Sequence, residues 1–546
     1  MRLDVDRLAS ARVVLHGSPY MSARDRRASG RPAVALLFGL AGTTLFFGAC
    51  KGGDAALPSE PSHLSIHDRV DGSADALDAA TTADVAIGDA HIADAASPSD
   101  AADANAKGDA DSAVSVDADA APAGDGAAAD AADGSVPKTA FCELPGSIVY
   151  TANGVITVPN LAGPLPDVSY IKLPPGFCVH YFANVGNARQ LRVAPGGELF
   201  VASPTTGTTG GGPNGQAAIV VVPDDDHDGL GDSPGVFIGG LASTQGLMFV
   251  PGFLYYQEGT QPVPDSTEIM RVPYNSGDRV PSGASTVAMK VDLPQAAEHW
   301  PKVFDIADDG TIYVTNGGSQ SDRCVSARPF LGGILKMDGT LNGSLVAKGF
   351  RNPIALRCHH GFNVCLAAEL ALDYSSGVGG HEKLTAIAQG DDWGYPCCAT
   401  KNVPYTGTVY ADTHQAPDCS GVVSESNAFL IGHTPFGFDF APNTWPAPYA
   451  ESVFLALHGF FSTWVGARMV AIATDPFTGL PVASSEDGSG SSNGSQVDFA
   501  TGWDDGRLAH GRPAAVTFGP DGRLYLGNDI DGTIVWIAPV GLPNTL

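Results

Sequence analysis

The segment Asp224-Asp225-Asp226-His227-Asp228-Gly229-Leu230-Gly231-Asp232 sets carboxylates at alternate positions ahead of a glycine. This D-x-D-x-D-G spacing lets a tight turn wrap a hard cation such as calcium in oxygen ligands, with Asp224, Asp226, Asp228 and Asp232 as candidate donors. The same composition also occurs as a merely solvated acidic turn. A second grouping, Arg351-Asn352-Pro353, follows a strand-like run and places a permanent cation beside a carboxamide. A guanidinium fork binds carboxylates bidentately, so the pair suits an anionic, carbonyl-rich planar ligand, although the bare tripeptide also fits a surface turn. His299, followed by Trp300, is a third candidate. An imidazole with an ordinary pKa of about 6.5 accepts a proton near neutral pH, whereas an isolated histidine is more often structural.

These residues must be positioned by a repeated element. From Lys138 onward a turn followed by a short β-rich run recurs: Pro195-Gly196-Gly197-Glu198-Leu199-Phe200-Val201, Pro251-Gly252-Phe253-Leu254-Tyr255-Tyr256 and Asp309-Gly310-Thr311-Ile312-Tyr313-Val314. Weaker copies stand at 361–366 and 451–456, and Pro520-Asp521-Gly522-Arg523-Leu524-Tyr525-Leu526 closes the series. The marker glycines are 55 residues apart (197 to 252) and then 58 (252 to 310), which suits four strands plus connections. Periods near 50 residues belong to propeller blades or solenoid arrays, and six copies predict a six-bladed β-propeller over residues 138–546. The wider gap after Gly361 leaves room for an insertion at about 370–430 that carries three cysteines. The 67 glycines and 40 prolines against 16% charged residues agree with a loop-rich, all-β chain.

Before the repeats the composition changes twice. Arg24, Arg26, Arg27 and Arg31 precede an apolar run from Pro32 to Ala49 that ends in Phe47-Gly48-Ala49-Cys50. A basic region, a short apolar core and small residues describe a secretory signal. Ending on cysteine, it resembles a bacterial lipobox, so residues 1–50 read as a lipoprotein signal peptide. Met21 is a better start than Met1, and Cys50 is the expected lipidated first residue. An uncleaved transmembrane helix is the alternative, but the run is marginal for a bilayer core about 30 Å thick. Residues 51–137, rich in Ala and Asp, cannot bury enough apolar surface to order themselves and form a disordered tether. The expected location is the cell envelope, at the periplasmic face or the cell surface, with the membrane touched only through the anchor.

Of the net charge of −29, residues 54–137 contribute 18 acids against two bases and residues 1–53 eight bases against three acids, which leaves −18 on 138–546. An acidic domain excludes nucleic acid as a partner, since that binding rests on basic phosphate contacts. Besides Cys50, the eight cysteines Cys142, Cys178, Cys324, Cys358, Cys365, Cys397, Cys398 and Cys419 form an even set that points to structural disulfides in an exported chain. Cys397 and Cys398 could form a vicinal disulfide, while separate partners are the expected arrangement.

Several phrases over about 173–540 resemble one family, the glucose/sorbosone dehydrogenases. They are Leu173-Pro174-Pro175-Gly176-Phe177, Ala188-Arg189-Gln190-Leu191, His299-Trp300, Gly349-Phe350-Arg351-Asn352-Pro353, Asp392-Trp393-Gly394-Tyr395-Pro396, Pro435-Phe436-Gly437-Phe438 and Gly511-Arg512-Pro513. The resemblance implies a six-bladed propeller that oxidises a sugar with pyrroloquinoline quinone (PQQ) and calcium and passes electrons to a periplasmic acceptor. It implies His299 as the general base, Arg351 and Asn352 as cofactor contacts, and Arg512 as the cation placed over the quinone, with Gln245 a further contact. Glu369 and Glu382 resemble the acidic segment that holds calcium near the quinone, with His381 where an aspartate is frequent. The chain also departs from the pattern. His458-Gly459-Phe460-Phe461-Ser462-Thr463 stands where relatives often read His-Gly-Ser-Trp-Asn-Arg, and the basic residue expected after His299-Trp300 is held only by Lys302. A non-catalytic propeller that binds glycans or proteins through its mouth is the competing expectation, since fold does not fix function.

Overall fold

The computed structural model describes residues 139–544 apart from 207–208, 211–215, 260–265, 293–298, 319–323, 325–331, 340–342, 372–379, 406–416, 461–462, 487–491 and 506–509. The expected signal peptide, Cys50 and the acidic tether lie outside these residues.

The repeat forms strands because its apolar and aromatic residues stand at consecutive positions, so both faces of a pleated strand are greasy. In Leu199–Ser203, Leu199 and Val201 enter one buried cluster while Phe200 and Ala202 enter another. In Leu524–Asp529, Leu524 and Leu526 face one neighbour and Tyr525 the other. A sheet that is apolar on both faces must be covered twice, and stacking blades around an axis does this. Six buried clusters occupy the six gaps between successive blades.

Each blade has four antiparallel strands, of which the innermost lines the axis; the sheets of blades 4 and 6 are extended to six strands, by Ser484–Glu486 and Ser492–Gly494 in blade 4 and by Ile148–Thr151 and Gly154–Thr157 in blade 6. In chain order the innermost strands are Gln190–Val193, Leu247–Val250, Phe304–Ile306, Asn352–His359, Pro435–Phe440 and Arg512–Phe518. The sequence repeat marks the second strands, Leu199–Ser203, Phe253–Gly259, Ile312–Asn316, Val364–Leu370, Val453–Leu457 and Leu524–Asp529. Its turn glycines, Gly197, Gly252, Gly310 and Gly522, have φ between 83° and 99°, the left-handed conformation that a non-glycine residue resists.

The ring is closed by strands from both ends of the domain. Blade 6 takes Arg512–Phe518, Leu524–Asp529 and Thr533–Pro539 from the C-terminal side and its fourth strand, Phe177–Asn184, from the N-terminal side. The disulfide Cys142–Cys178 fastens the short turn Phe141–Glu143 to that strand. The other bridges are Cys324–Cys397, Cys358–Cys365 and Cys398–Cys419, so the neighbouring Cys397 and Cys398 have separate partners. In blade 4 a long excursion between Glu382–Ala386 and Asn427–Phe429 carries Cys397, Cys398 and Cys419.

Because the repeat turns all join first to second strands, they share one end of the ring, and every innermost strand starts at the other. Side chains at the starts of the innermost strands therefore converge on one mouth. At the far end, Arg192, Asp305, Arg357 and Asp439 fill the axis. There Arg357 Nη2 lies 3.4 Å from Asp439 Oδ2 and donates to Thr517 Oγ1 at 3.1 Å, and Asp305 accepts from the Cys358 amide at 3.0 Å.

Candidate active site

His299 lies in the segment that leads into the innermost strand of blade 3. It is buried, 8% exposed, and has a left-handed φ of 53°, a strained setting for a residue with a β-carbon. Its Nδ1 is 3.1 Å from the Gly318 carbonyl. A carbonyl can only accept, so the proton is assigned to Nδ1 and Nε2 is the acceptor nitrogen. Gly318 in turn donates its amide to the Arg351 carbonyl at 2.5 Å, linking the histidine segment to blade 4. The approach explains the glycine pair at 317 and 318. A β-carbon on Gly317 would sit 2.3 Å from the His299 Cβ, and one on Gly318 would sit 3.1 Å from the Arg351 carbonyl oxygen.

Burial, then the Arg351 charge and more weakly that of Lys302, holds the His299 imidazole well below its ordinary value, so the ring is neutral at pH 7. Lys302 is itself wholly buried. Its Nζ donates to the His299 carbonyl at 3.1 Å and the Trp300 carbonyl at 3.2 Å, and burial drives its pKa down to about 7.

Arg351 and Asn352 enter from blade 4. The Arg351 Nη1 donates to the Ala371 carbonyl at 2.9 Å, and its amide donates to Glu369 Oε1. Among the described residues, the buried Asn352 carboxamide oxygen has no hydrogen-bond partner. The same is true of Gln245 Oε1, whose Nε2 reaches the Ile354 carbonyl of blade 4 at 3.5 Å. From blade 6, Arg512 donates through Nε to the His458 carbonyl at 3.0 Å and through Nη2 to the Gly459 carbonyl at 2.7 Å, with its guanidinium 5.6 Å from the centre of the Trp464 ring. The phrase beginning at His458, which departs from the family pattern, thus cradles the mouth arginine.

The structure adds residues that sequence reasoning missed. Asp529, at the end of the second strand of blade 6, is buried 3.4 Å from Arg189 Nε and 3.1 Å from His458 Nε2. Burial pushes this carboxyl up, but Arg189, His458 and Arg512 together hold it well below the usual range. Burial and the Arg512 charge bring His458 down to about 4, so it is neutral and polar. No motif joins Arg189, His458 and Asp529, which come from blades 1, 5 and 6.

Not all expected site residues meet at the mouth. Glu369 and Glu382 do not form a metal pair. Glu369 is opposite Lys383 in the sheet, with Lys383 Nζ 3.2 Å away. Glu382, the next residue along, leaves the sheet on the other face and accepts from the Gly432 and Thr434 amides. The acidic loop lies between the third and fourth strands of blade 1, at the end of the ring opposite the mouth. There Asp224, Asp226 and Asp228 each offer a carboxylate oxygen within 4.8 Å of the others. Asp232 instead accepts the Asp225 amide at 2.9 Å.

No protein-family model and no curated protein matches the sequence. Among solved structures, the fold is similar to a Carbohydrate-Active Enzymes family AA12 protein from Trichoderma reesei, at a TM-score of 0.55 and 15% identity over 69% of this chain and all of that one. It is similar also to the PQQ domain of pyranose dehydrogenase from Coprinopsis cinerea, at 0.51 and 16% identity over 68% of this chain and 98% of that one. At this identity the likeness establishes the propeller fold.

Proposed function

We propose that this chain is a quinoprotein dehydrogenase that oxidises the anomeric or aldehyde carbon of a sugar at the propeller mouth and delivers electrons to a periplasmic acceptor. The two similar structures, one an AA12 protein and one a pyranose dehydrogenase PQQ domain, support the class. The observation that carries the reading is the composition of the mouth. A neutral histidine with Nε2 as acceptor stands beside Arg351, and buried Gln245 and Asn352 oxygens await a partner.

This set fits PQQ, a planar tricarboxylate bearing carbonyls. Arg351, Asn352, Gln245 and Arg512 would hold it, with guanidiniums meeting its carboxylates and quinone oxygens. When bound, the quinone supplies the two-electron acceptor for a hydride leaving the sugar carbon. His299 Nε2 takes the proton from the sugar hydroxyl, and its Nδ1 proton on the Gly318 carbonyl fixes the tautomer. Arg512 is aimed by the His458 and Gly459 carbonyls, so its charge is organised in advance where negative charge develops. For calcium beside the quinone, the expected pair Glu369 and Glu382 does not fit, and no step is assigned to it. Export and anchoring through Cys50 belong to the same proposal and rest on the signal-like N-terminus.

The test is dye reduction by protein supplied with PQQ, calcium and an aldose. Turnover should fall by about two to four orders of magnitude in His299→Ala while the quinone is retained, as expected on loss of a general base. A folded protein that binds the quinone but reduces no dye with any aldose or aldehyde would leave a glycan- or protein-binding propeller in place of the enzyme.

A further inference from the structure

We propose that Gln257 and Lys302 are positioning residues for His299, clamping the segment 299–302 so that the imidazole is held at the mouth with Nε2 ready to take a proton. The inference deepens the dehydrogenase reading and rests on it for the second of two tests.

The segment needs outside support. His299 has a left-handed φ, and Trp300 and Pro301 follow it before strand Phe304–Ile306 begins. Support comes from two side chains. Gln257, fully buried in the second strand of blade 2, donates through Nε2 to the Trp300 carbonyl at 2.9 Å and accepts the Lys302 amide on Oε1 at 3.0 Å. One carboxamide thus ties both sides of Pro301 to the neighbouring blade. Lys302 then reaches back, with Nζ 3.1 Å from the His299 carbonyl and 3.2 Å from the Trp300 carbonyl. With its carbonyl held by Lys302 and its Nδ1 on the Gly318 carbonyl, His299 is fixed at backbone and ring together. Gly246 leaves room for the clamp, since a β-carbon there would lie 2.3 Å from the Lys302 carbonyl oxygen.

A wholly buried ammonium whose described partners are two carbonyls is costly to keep, and a methionine would fill the same space. What the lysine adds is a clamp and a charge beside the base. Among the described residues, the charges that bear on His299 are Arg351 of blade 4 and, more weakly, Lys302, and both disfavour the imidazolium. Arg351 keeps its proton near neutral pH, whereas burial brings Lys302 down to about 7. Loss of the Lys302 proton therefore makes His299 a stronger base as the pH rises through that value.

The first test uses the whole protein without quinone or sugar, so it stands independently of the dehydrogenase reading. Proton exchange with solvent is followed by NMR of 15N-labelled protein at the His299 Nδ1, bonded to the Gly318 carbonyl. The Trp536 indole, bonded to the Gly229 carbonyl at the opposite end of the ring, is the internal control. In Gln257→Leu and in Lys302→Met the His299 proton should exchange at least about tenfold faster, with the Trp536 proton unchanged, as expected for a local opening. The second test uses PQQ-loaded protein and an aldose. Turnover should fall by about ten- to a hundredfold in both variants, with KM and PQQ affinity within about twofold of wild type. The wild-type rise of turnover through pH 7 should persist in Gln257→Leu and vanish in Lys302→Met. His299 exchange that is unchanged in both variants, or that accelerates together with Trp536, overturns the clamp. A fall in turnover matched by a loss of PQQ affinity overturns the positioning role, and a rise through pH 7 that survives in Lys302→Met overturns the part given to its charge. Failure of the folded wild-type protein to bind PQQ would refute the dehydrogenase reading, and the exchange test alone would then decide the clamp.

Discussion

Replacing Lys302 by methionine should abolish a rise of stability with pH that the wild-type protein shows between about pH 7 and pH 10.5. The Lys302 ammonium is wholly buried, donates among the described residues only to the His299 and Trp300 carbonyls, and has a pKa lowered from 10.5 to about 7. A group whose folded pKa lies below its unfolded value leaves the unfolded chain holding the extra proton between the two values. Stability therefore climbs with pH across that window, by about 1.4 kcal/mol per unit and about 5 kcal/mol in full, and is flat below it. Methionine has a similar length and no charge, so the slope disappears. It also leaves two buried carbonyls without a donor, at about 1–3 kcal/mol each. The two costs roughly cancel near pH 7, and the variant becomes clearly the less stable protein near pH 10. Urea midpoints for both proteins at several pH values, with disulfides intact, give the difference directly. Parallel wild-type and variant curves would show that Lys302 is hydrated or paired in solution, and the argument from its burial would fail.

Three further outcomes follow from the same geometry. Asp529→Asn should destabilise the protein by about 3–5 kcal/mol at neutral pH, because Arg189 and Arg512 lose a buried counter-charge. As the folded carboxyl titrates below its unfolded value of about 3.9, this contribution is present above that value and is lost progressively as the pH falls from there toward the lower folded value; thermal unfolding of both proteins from pH 7 down to about pH 2 checks it. Gly317→Ala should cost about 1–3 kcal/mol by driving a methyl into the His299 segment, with a fall in turnover that a merely local strain would not produce. Replacing Cys142 and Cys178 by serine, which opens a link across 36 residues at the ring closure, should lower stability by about 2–4 kcal/mol in chemical denaturation.

The blades were legible because the repeat carries its own turn and its own two-faced strand: Gly197 to Val201 and Gly522 to Leu526 can be little else. Ring closure was less so. Nothing local in Phe177–Asn184 says that it pairs with Thr533–Pro539, more than 300 residues on. At the mouth, His299, Arg351 and Arg512 were readable from short phrases, whereas Asp529 and His458 gain meaning only when the strand ends of blades 5 and 6 are brought beside Arg189. The pairing of Glu369 with Glu382 failed for a reason specific to sheets. A one-residue change of register moves a side chain to the opposite face, and spacing along the chain cannot reveal that Lys383, not Glu382, stands opposite Glu369.

The claim that the mouth is a quinone site is tested most directly by titrating the folded protein with PQQ in calcium buffer. Saturable binding at micromolar concentrations should be seen. It should weaken in Arg351→Ala and Arg512→Ala and survive in the double variant Asp226→Asn, Asp228→Asn, which changes the acidic loop at the far end of the ring. If the folded wild-type protein binds no PQQ in that range, or if binding is indifferent to both mouth arginines, the mouth does not serve a quinone.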